Sequence, residues 1–222
     1  FIGEPKSSLP VVSVTAPPGL LFDPDIGLFM TGNSIDTGSI MQEGANFWSR
    51  RELVAHVEMF ESDGSSVFNS AVGMRLFGGM SRLFPQKSLA LVARERYGEK
   101  RFYHPIFGEE GPKSCKFLVL RNAGSDFGRA HFRDALMAGL LDDWDLEKQA
   151  YRPAHVYLNG QYWGIYNIRE KINRHFIADH HSVDKDSIDL LEHRYNLRRG
   201  NKSHYLRLLR FFQSRNLAEP AN

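Results

Sequence analysis

Residues 73–94 read GMRLFGGMSRLFPQKSLALVAR. Within this stretch Gly78 and Gly79 let backbone amides approach an anion closely, Ser81 adds a hydroxyl, and Arg75, Arg82 and Lys87 supply fixed positive charge. That is the inventory a polyphosphate requires. The same residues also make a tight basic turn between two strands, with glycine demanded by the turn and arginines facing solvent. The spacing is neither a Walker sequence nor GxGxxG, so the pattern alone leaves both readings open.

A second constellation lies in RNAGSDFGRAHFRDAL, which sets Asn122 and Asp126 ahead of a helical pattern and Arg133 and Asp134 in its first turns. Amide and acidic side chains at a helix start are caps and dipole partners. They are also the residue types that contact a nucleotide or its metal. Glu170 closes the run NIRE at the end of a strand, where an acid either serves a site or faces solvent. Nine histidines include His180-His181, but none falls in HExxH or another metal-ligand spacing. There is no GxSxG elbow. The lone cysteine, Cys115, stands in KSCKFLVL among apolar neighbours, which suits a small strand residue better than a nucleophile.

The elements that must position these residues are legible as patterns. LPVVSVTA is β-branched and proline-bounded, PPGLLFDPDIGLF is loop-like, and ELVAHVEMFESDGSSVFNSAVGMRLFGG alternates on both sides of SDG, predicting a hairpin. KSLALVARERYGEKRFYHPIF predicts a second ribbon turning at YGEK, so the N-terminal half is a mostly antiparallel sheet. After the strand KFLVLRN, Phe132, Leu136, Leu140 and Trp144 recur at helical spacing with Ser125 available as N-cap, predicting a helix packed on the sheet. AHVYLNGQYWGIYNIRE predicts a hairpin turning at Asn159-Gly160. Helices follow from about Lys171 to His180 and over SHYLRLLRFF, the latter with Tyr205, Leu208, Leu209 and Phe212 on one face and Ser203 as a candidate cap. The class is α+β.

A chain of 222 residues with 42% hydrophobic content holds one large domain or two small lobes with real cores. Lys and Arg number 28 against 26 Asp and Glu. The net charge of +2 provides no general field for nucleic acid or an anionic membrane, so anion recognition must be local. No apolar run approaches the roughly 18–20 residues that span a bilayer. The first residue is Phe1, which reads as a chain cut from a longer one.

Taken in order, PVVSV, LFDPDIGLF, GMRLFGGMSRLFPQKSL, LVLRNAGSD, FRDAL, YRPAHVYLNGQYWGIYNIREKIN and SIDLLE resemble the CotH family, named for a bacterial spore coat protein. The resemblance covers nearly the whole chain and is most specific at the basic loop with its PQKS lysine and at the NGxYxGxYxxxE hairpin. It implies a divergent protein-kinase-like fold, with an antiparallel β-rich N-terminal lobe over 1–120 and a helix-hairpin-helix part over 121–222, together one domain truncated on its C-terminal side. It implies ATP with Mg or Mn as cofactors, and serine or threonine of exported, spore-coat or surface proteins as acceptors. Localisation at the cell surface or spore coat is implied with it. Carried onto this chain, Arg75, Gly78, Gly79, Ser81 and Arg82 sit over the phosphates and Lys87 takes the place of the kinase strand lysine. Asn122 and Arg133 support the nucleotide, Asp126, Glu170 and Asn173 join Lys87 among the catalytic residues, and Asp189 and Glu192 are the nearest acids for a metal.

The chain departs from the family pattern at one important place. Kinase-active members carry an aspartate in a stretch resembling E-Q-V-D, whereas this chain has Glu170-Lys171-Ile172-Asn173. Asparagine hydrogen-bonds a hydroxyl or holds a metal, but it cannot accept a proton as a general base. Two other readings therefore stand beside the kinase: a pseudokinase or binding module of a surface or coat assembly, and carbohydrate binding through Trp48, Trp163 and the tyrosines.

Overall fold

The computed structural model describes residues 7–33, 38–109, 111–215 and 218. The chain forms two compact units, Phe1–Lys171 and Ile172–Asn222. The hairpin expected to belong with a C-terminal part thus falls in the first unit.

Seven strands close the first unit into a barrel: β1 (Val11–Thr15), β2 (Leu53–Phe60), β3 (Ser66–Phe77), β4 (Ser88–Val92), β5 (Phe117–Arg121), β6 (Tyr151–Leu158) and β7 (Gln161–Glu170). Their order around the barrel is β1-β2-β3-β4-β5-β7-β6. Every pairing is antiparallel except the closing one, where β1 runs parallel to β6 with Val12 opposite Val156 and Val14 opposite Leu158. Period-2 alternation sends Val12, Val57, Met74, Leu89, Leu91, Leu118, Leu120, Val156, Tyr166 and Ile168 into one core. The register agrees with that alternation, since Leu76 pairs with Leu89, Leu89 with Leu120 and Leu120 with Ile168. The turn at Asn159-Gly160 has φ of 50° and 81°, the double positive φ that hairpin loops of this length favour. Asn159 also ties the closing strand, accepting the amide of Ala16 on its side chain and donating its own amide to Val14.

Four local expectations are corrected. PPGLLFDPDIGLF is not all loop, because Pro18–Phe22 forms α1 with proline in its first turn, where the missing N–H costs no bond. The ribbon turning at YGEK does not form: β4 pairs with β3 and β5, and among the described residues between Ala93 and Lys116 a single bridge joins Phe102 to Cys115. The reason lies in Glu52, which accepts Arg94 through Nε at 2.8 Å and Nη2 at 2.9 Å, and Arg96 at 3.1 Å, so the charged run is held by side chains and not by a ladder. The helix expected to pack on the sheet is the seven-residue α2 (Arg133–Gly139), and its apolar face is open, with Leu136 51% exposed and the flanking Phe132 and Trp144 49% and 65% exposed. Ser125 does not cap it but sits in a 3-10 turn over Gly124–Asp126.

The second unit holds α3 (Arg174–His181), a hairpin of β8 (Leu190–Glu192) and β9 (Asn196–Arg199), and α4 (Ser203–Ser214). Ser203 does not cap α4; its amide donates to Asn201 Oδ1. The chain is α+β, rich in strand with few helices. A closed seven-stranded barrel is not the standard lobe of a protein kinase. No described helix is long and apolar enough to cross a membrane.

Candidate functional site

Strand β3 ends at Phe77, and the chain must turn sharply to re-enter the sheet as β4. Gly78 makes the turn with φ of +99°, and a Cβ there would meet Ser81 Oγ at 2.4 Å. Residues Met80–Leu83 then coil into a 3-10 turn. A cleft of about 330 Å³ opens beside this loop. Gly78, Gly79 and Ser81 line one side; Ser88 of β4 and Arg121, Gly124 and Ser125 at the end of β5 line the other. At Gly79 a Cβ would meet nothing, so its backbone faces open space.

Three polar side chains hold that loop in place. Arg82 donates Nε to the Gly78 carbonyl at 2.9 Å, Nη2 to Leu76 at 3.1 Å, and Nη1 to Phe47 at 3.1 Å and Ser49 at 3.4 Å. Burial, then the nearby Arg50 charge, pulls its pKa down. Lys87, only 5% exposed, donates Nζ to the carbonyls of Arg82 at 2.5 Å and Phe84 at 3.1 Å and lies over the Phe47 ring. Burial lowers its pKa to about 8. Asn122 is fully buried: its Nδ2 donates to Gln86 and Ser81 carbonyls, and its Oδ1 accepts from Ser88 Oγ and the Gly124 amide. Charge and amide that could meet a ligand are thus spent on backbone carbonyls, which fixes the loop's shape.

The remaining expected residues are dispersed. Arg75 leaves the outer face of β3 toward Glu52, 3.9 Å away. Asp126 accepts the Arg133 amide on Oδ2 at 3.1 Å, while Arg133 Nε stands 3.0 Å from Oδ1 at an angle that makes no hydrogen bond. Asp126 and Arg133 therefore form one local pair, next to Ser125 in the cleft wall. Glu170, buried at the end of β7, accepts the amide of Ala150 on Oε2. Neither Lys87, Arg82, Asn122, Asp126 nor Glu170 lines the cleft.

Three expected residues belong to the second unit. Asn173 is the N-cap of α3, its Oδ1 accepting the amides of His175 at 2.8 Å and Phe176 at 3.3 Å. Asp189 Oδ1 accepts the Asn201 amide at 2.7 Å. Glu192 pairs with Arg198, whose hydrogen bond holds the carboxyl below the usual range despite its exposure. Among the described residues no group of three His, Cys, Asp or Glu side chains could by itself hold a metal ion.

Sequence reasoning missed Arg121 and Ser125 as cleft residues. Alternation held the signal for Arg121: Leu118 and Leu120 face the core, so the last residue of FLVLR must face outward. Trp48 donates Nε1 to the Met41 carbonyl, and Trp163 packs against Phe22 and Phe29. These rings belong to the packing and not to a sugar platform.

Residues 74–216, which include the loop, the β5 end, the β6–β7 hairpin and both units' expected site residues, match the family model described as CotH kinase protein. The chain belongs to the CotH family. No curated protein matches it. The CotH match begins at Met74, near the end of β3, so it takes in the whole cleft wall while β1, β2 and most of β3 precede it. Asn173 of this CotH chain, where the resemblance leads one to expect an aspartate, lies within the matched span.

Proposed function

We propose that this CotH-family chain is an ATP-dependent protein kinase domain of divergent kinase-like fold, transferring the γ-phosphoryl group to serine or threonine of exported, spore-coat or surface proteins. The observation that carries the reading is the cleft at Gly78–Ser81. Three polar side chains hold a glycine loop open beside serine hydroxyls and a guanidinium, and that donor set suits phosphate oxygens. ATP would supply the phosphoryl group, and Mg²⁺ or Mn²⁺ would neutralise its charge. Asp189 and Glu192, both of the second unit, are the acids proposed for such an ion, since carboxylate oxygens are of the type these ions take.

The chain's own contribution is positioning. Arg82, Lys87 and Asn122 hold the loop backbone through its carbonyls, so a phosphate would meet a loop that needs little reorganisation. Arg75 and Lys87 add positive field from the strands, and Glu170 orders the Ala150 backbone at the end of the hairpin. Asp126, beside Ser125 of the cleft wall, is the acid of the first unit proposed to serve the acceptor hydroxyl.

A second reading is favoured by Asn173 itself. Its side-chain oxygen is committed to the α3 amides, and an amide takes no proton at neutral pH. A pseudokinase, or a nucleotide-free module of a coat or surface assembly, needs no more than this.

The test is transfer from γ-labelled ATP with Mg²⁺ or Mn²⁺ to a serine-rich acceptor, comparing wild type with Asn173→Asp. Aspartate caps a helix as well as asparagine, so the variant keeps α3. Slow labelling by wild type, raised by roughly 10²–10⁴ in the variant, is the expected result. No labelling by either, with a rise in melting temperature on adding ATP, establishes the pseudokinase. Neither labelling nor stabilisation overturns the nucleotide reading.

A further inference from the structure

The cations expected at the phosphates are the ones the fold has already engaged. Arg82 and Lys87 point their donors at carbonyls, and Arg75 faces Glu52. Arg121 is different. It lines the cleft and uses Nη1 to pair with Asp134 Oδ2. Among the described residues its Nε and Nη2 donate to nothing. These two nitrogens form the side-on edge of the guanidinium, the same edge with which Arg94 grips both oxygens of Glu52.

Gly124 makes room for the guanidinium at the cleft wall. It has φ of +59°, and a Cβ there would stand 2.9 Å from Arg121 Nη2 and 4.0 Å from Nε. Without a side chain at Gly124 nothing is added against the guanidinium on that side of the cleft wall, and a planar fork of two donors is the chemistry that takes two oxygens of one phosphate. Asp134 in turn is shared: its Oδ2 lies 3.2 Å from Arg169 Nη1 as well. Arg169 is buried and rests against the Tyr151 ring, so it keeps a counter-charge in Asp134 whether or not Arg121 stays. Arg121 can therefore leave Asp134 without stranding a buried charge.

We propose that Arg121 is the phosphate-binding cation of the cleft, and that Asp134, paired with Nη1, is an internal carboxylate that orients the guanidinium and offsets part of its charge while the Nε and Nη2 edge stays open to a polyphosphate. This rests on the nucleotide-phosphate reading of the cleft and names the ligand atoms: two non-bridging oxygens of one phosphate on Nε and Nη2. Asp134 acts as a positioning residue on Nη1, and its negative charge beside the same guanidinium opposes that of the ligand.

The experiment is calorimetric titration of the protein with inorganic tripolyphosphate and, separately, with ATP, on wild type, Arg121→Gln, Arg121→Lys and Asp134→Asn. Removing a charge-assisted fork weakens tripolyphosphate binding about 10- to 100-fold in Arg121→Gln. Arg121→Lys restores only part, because an ammonium cannot present the fork. Asp134→Asn tightens binding by roughly 3- to 10-fold, a gain that a misfolded variant cannot produce. Wild-type affinity in Arg121→Gln, or weakening in Asp134→Asn, overturns the proposal. Arg121-dependent binding of tripolyphosphate without binding of ATP sustains it and sinks the nucleotide reading. ATP binding that ignores Arg121 does the reverse, and binding of neither ligand sinks both.

Discussion

The glycine loop of the first unit and the β8–β9 hairpin of the second carry comparable polar residues under opposite conditions. Around the loop, Lys87 and Asn122 are buried, and each joins two or more backbone groups. On the hairpin, Asp189 and Glu192 are exposed and held by near neighbours in sequence, Asn201 and Arg198. A buried polar group that loses a partner leaves other groups unsatisfied, whereas an exposed one recovers water. The contrast separates residues that build a shape from residues that can change partners cheaply. It also explains why assignment from residue type alone gave ligand roles to Arg82 and Lys87, which the fold uses as struts.

The strongest way to break that contrast is Asn122→Ala. It removes four hydrogen bonds and leaves the Ser81 and Gln86 carbonyls and the Gly124 amide short of a partner, so the expected loss is about 4 kcal/mol. Urea unfolding reads it directly, and a loss below about 1 kcal/mol would mean the loop stands without its strut.

Lys87→Met sharpens the comparison through pH. The folded pKa of Lys87 is lowered to about 8, below the unfolded value of 10.5. The unfolded chain therefore binds the proton more tightly, and the burial penalty is present in full below pH 8. It is relieved as pH rises from 8 toward 10.5, so wild-type stability should climb relative to the methionine variant by about 2–3 kcal/mol across that window. Paired unfolding curves at pH 7.5 and 10 measure the difference; a constant gap would show that the ammonium is not desolvated.

The smallest effect belongs to the hairpin. Glu192→Gln removes an exposed ion pair with Arg198, and the melting midpoint should move by the equivalent of under about 0.5 kcal/mol. A larger shift would place Glu192 with the struts.

Much of the first unit was legible because alternation is a local code. The strands from Val11 to Arg121 and the Asn159-Gly160 turn follow from side chains two residues apart or from a positive φ that few residues adopt. Barrel closure was not legible, since β1 meets β6 across most of the unit's length and no neighbouring residue announces the pairing. The missing ribbon at YGEK had a non-local cause as well, in a Glu52 more than forty positions before the arginines it binds. The α2 segment failed for a different reason. Its helical spacing is real, but Leu136, Leu140 and Trp144 stay half or more exposed, so periodicity reported an apolar face without reporting what covers it. At the cleft, the glycines and Ser81 were readable from their types. Arg121 was hidden because its importance comes from what Gly124 lacks and from what Arg82 and Lys87 have already done with their donors.

The barrel's closing strand has a practical bearing on how this chain should be cut for expression. The stretch by which the family is recognised begins at Met74, but β1 and β2 lie upstream and stitch β3 to β6. A clone trimmed to the recognised stretch would present two bare strand edges, with the apolar barrel interior opened between them. Such a product is a template for edge-to-edge assembly, and an inclusion body from it would report on the cloning boundary and not on the protein.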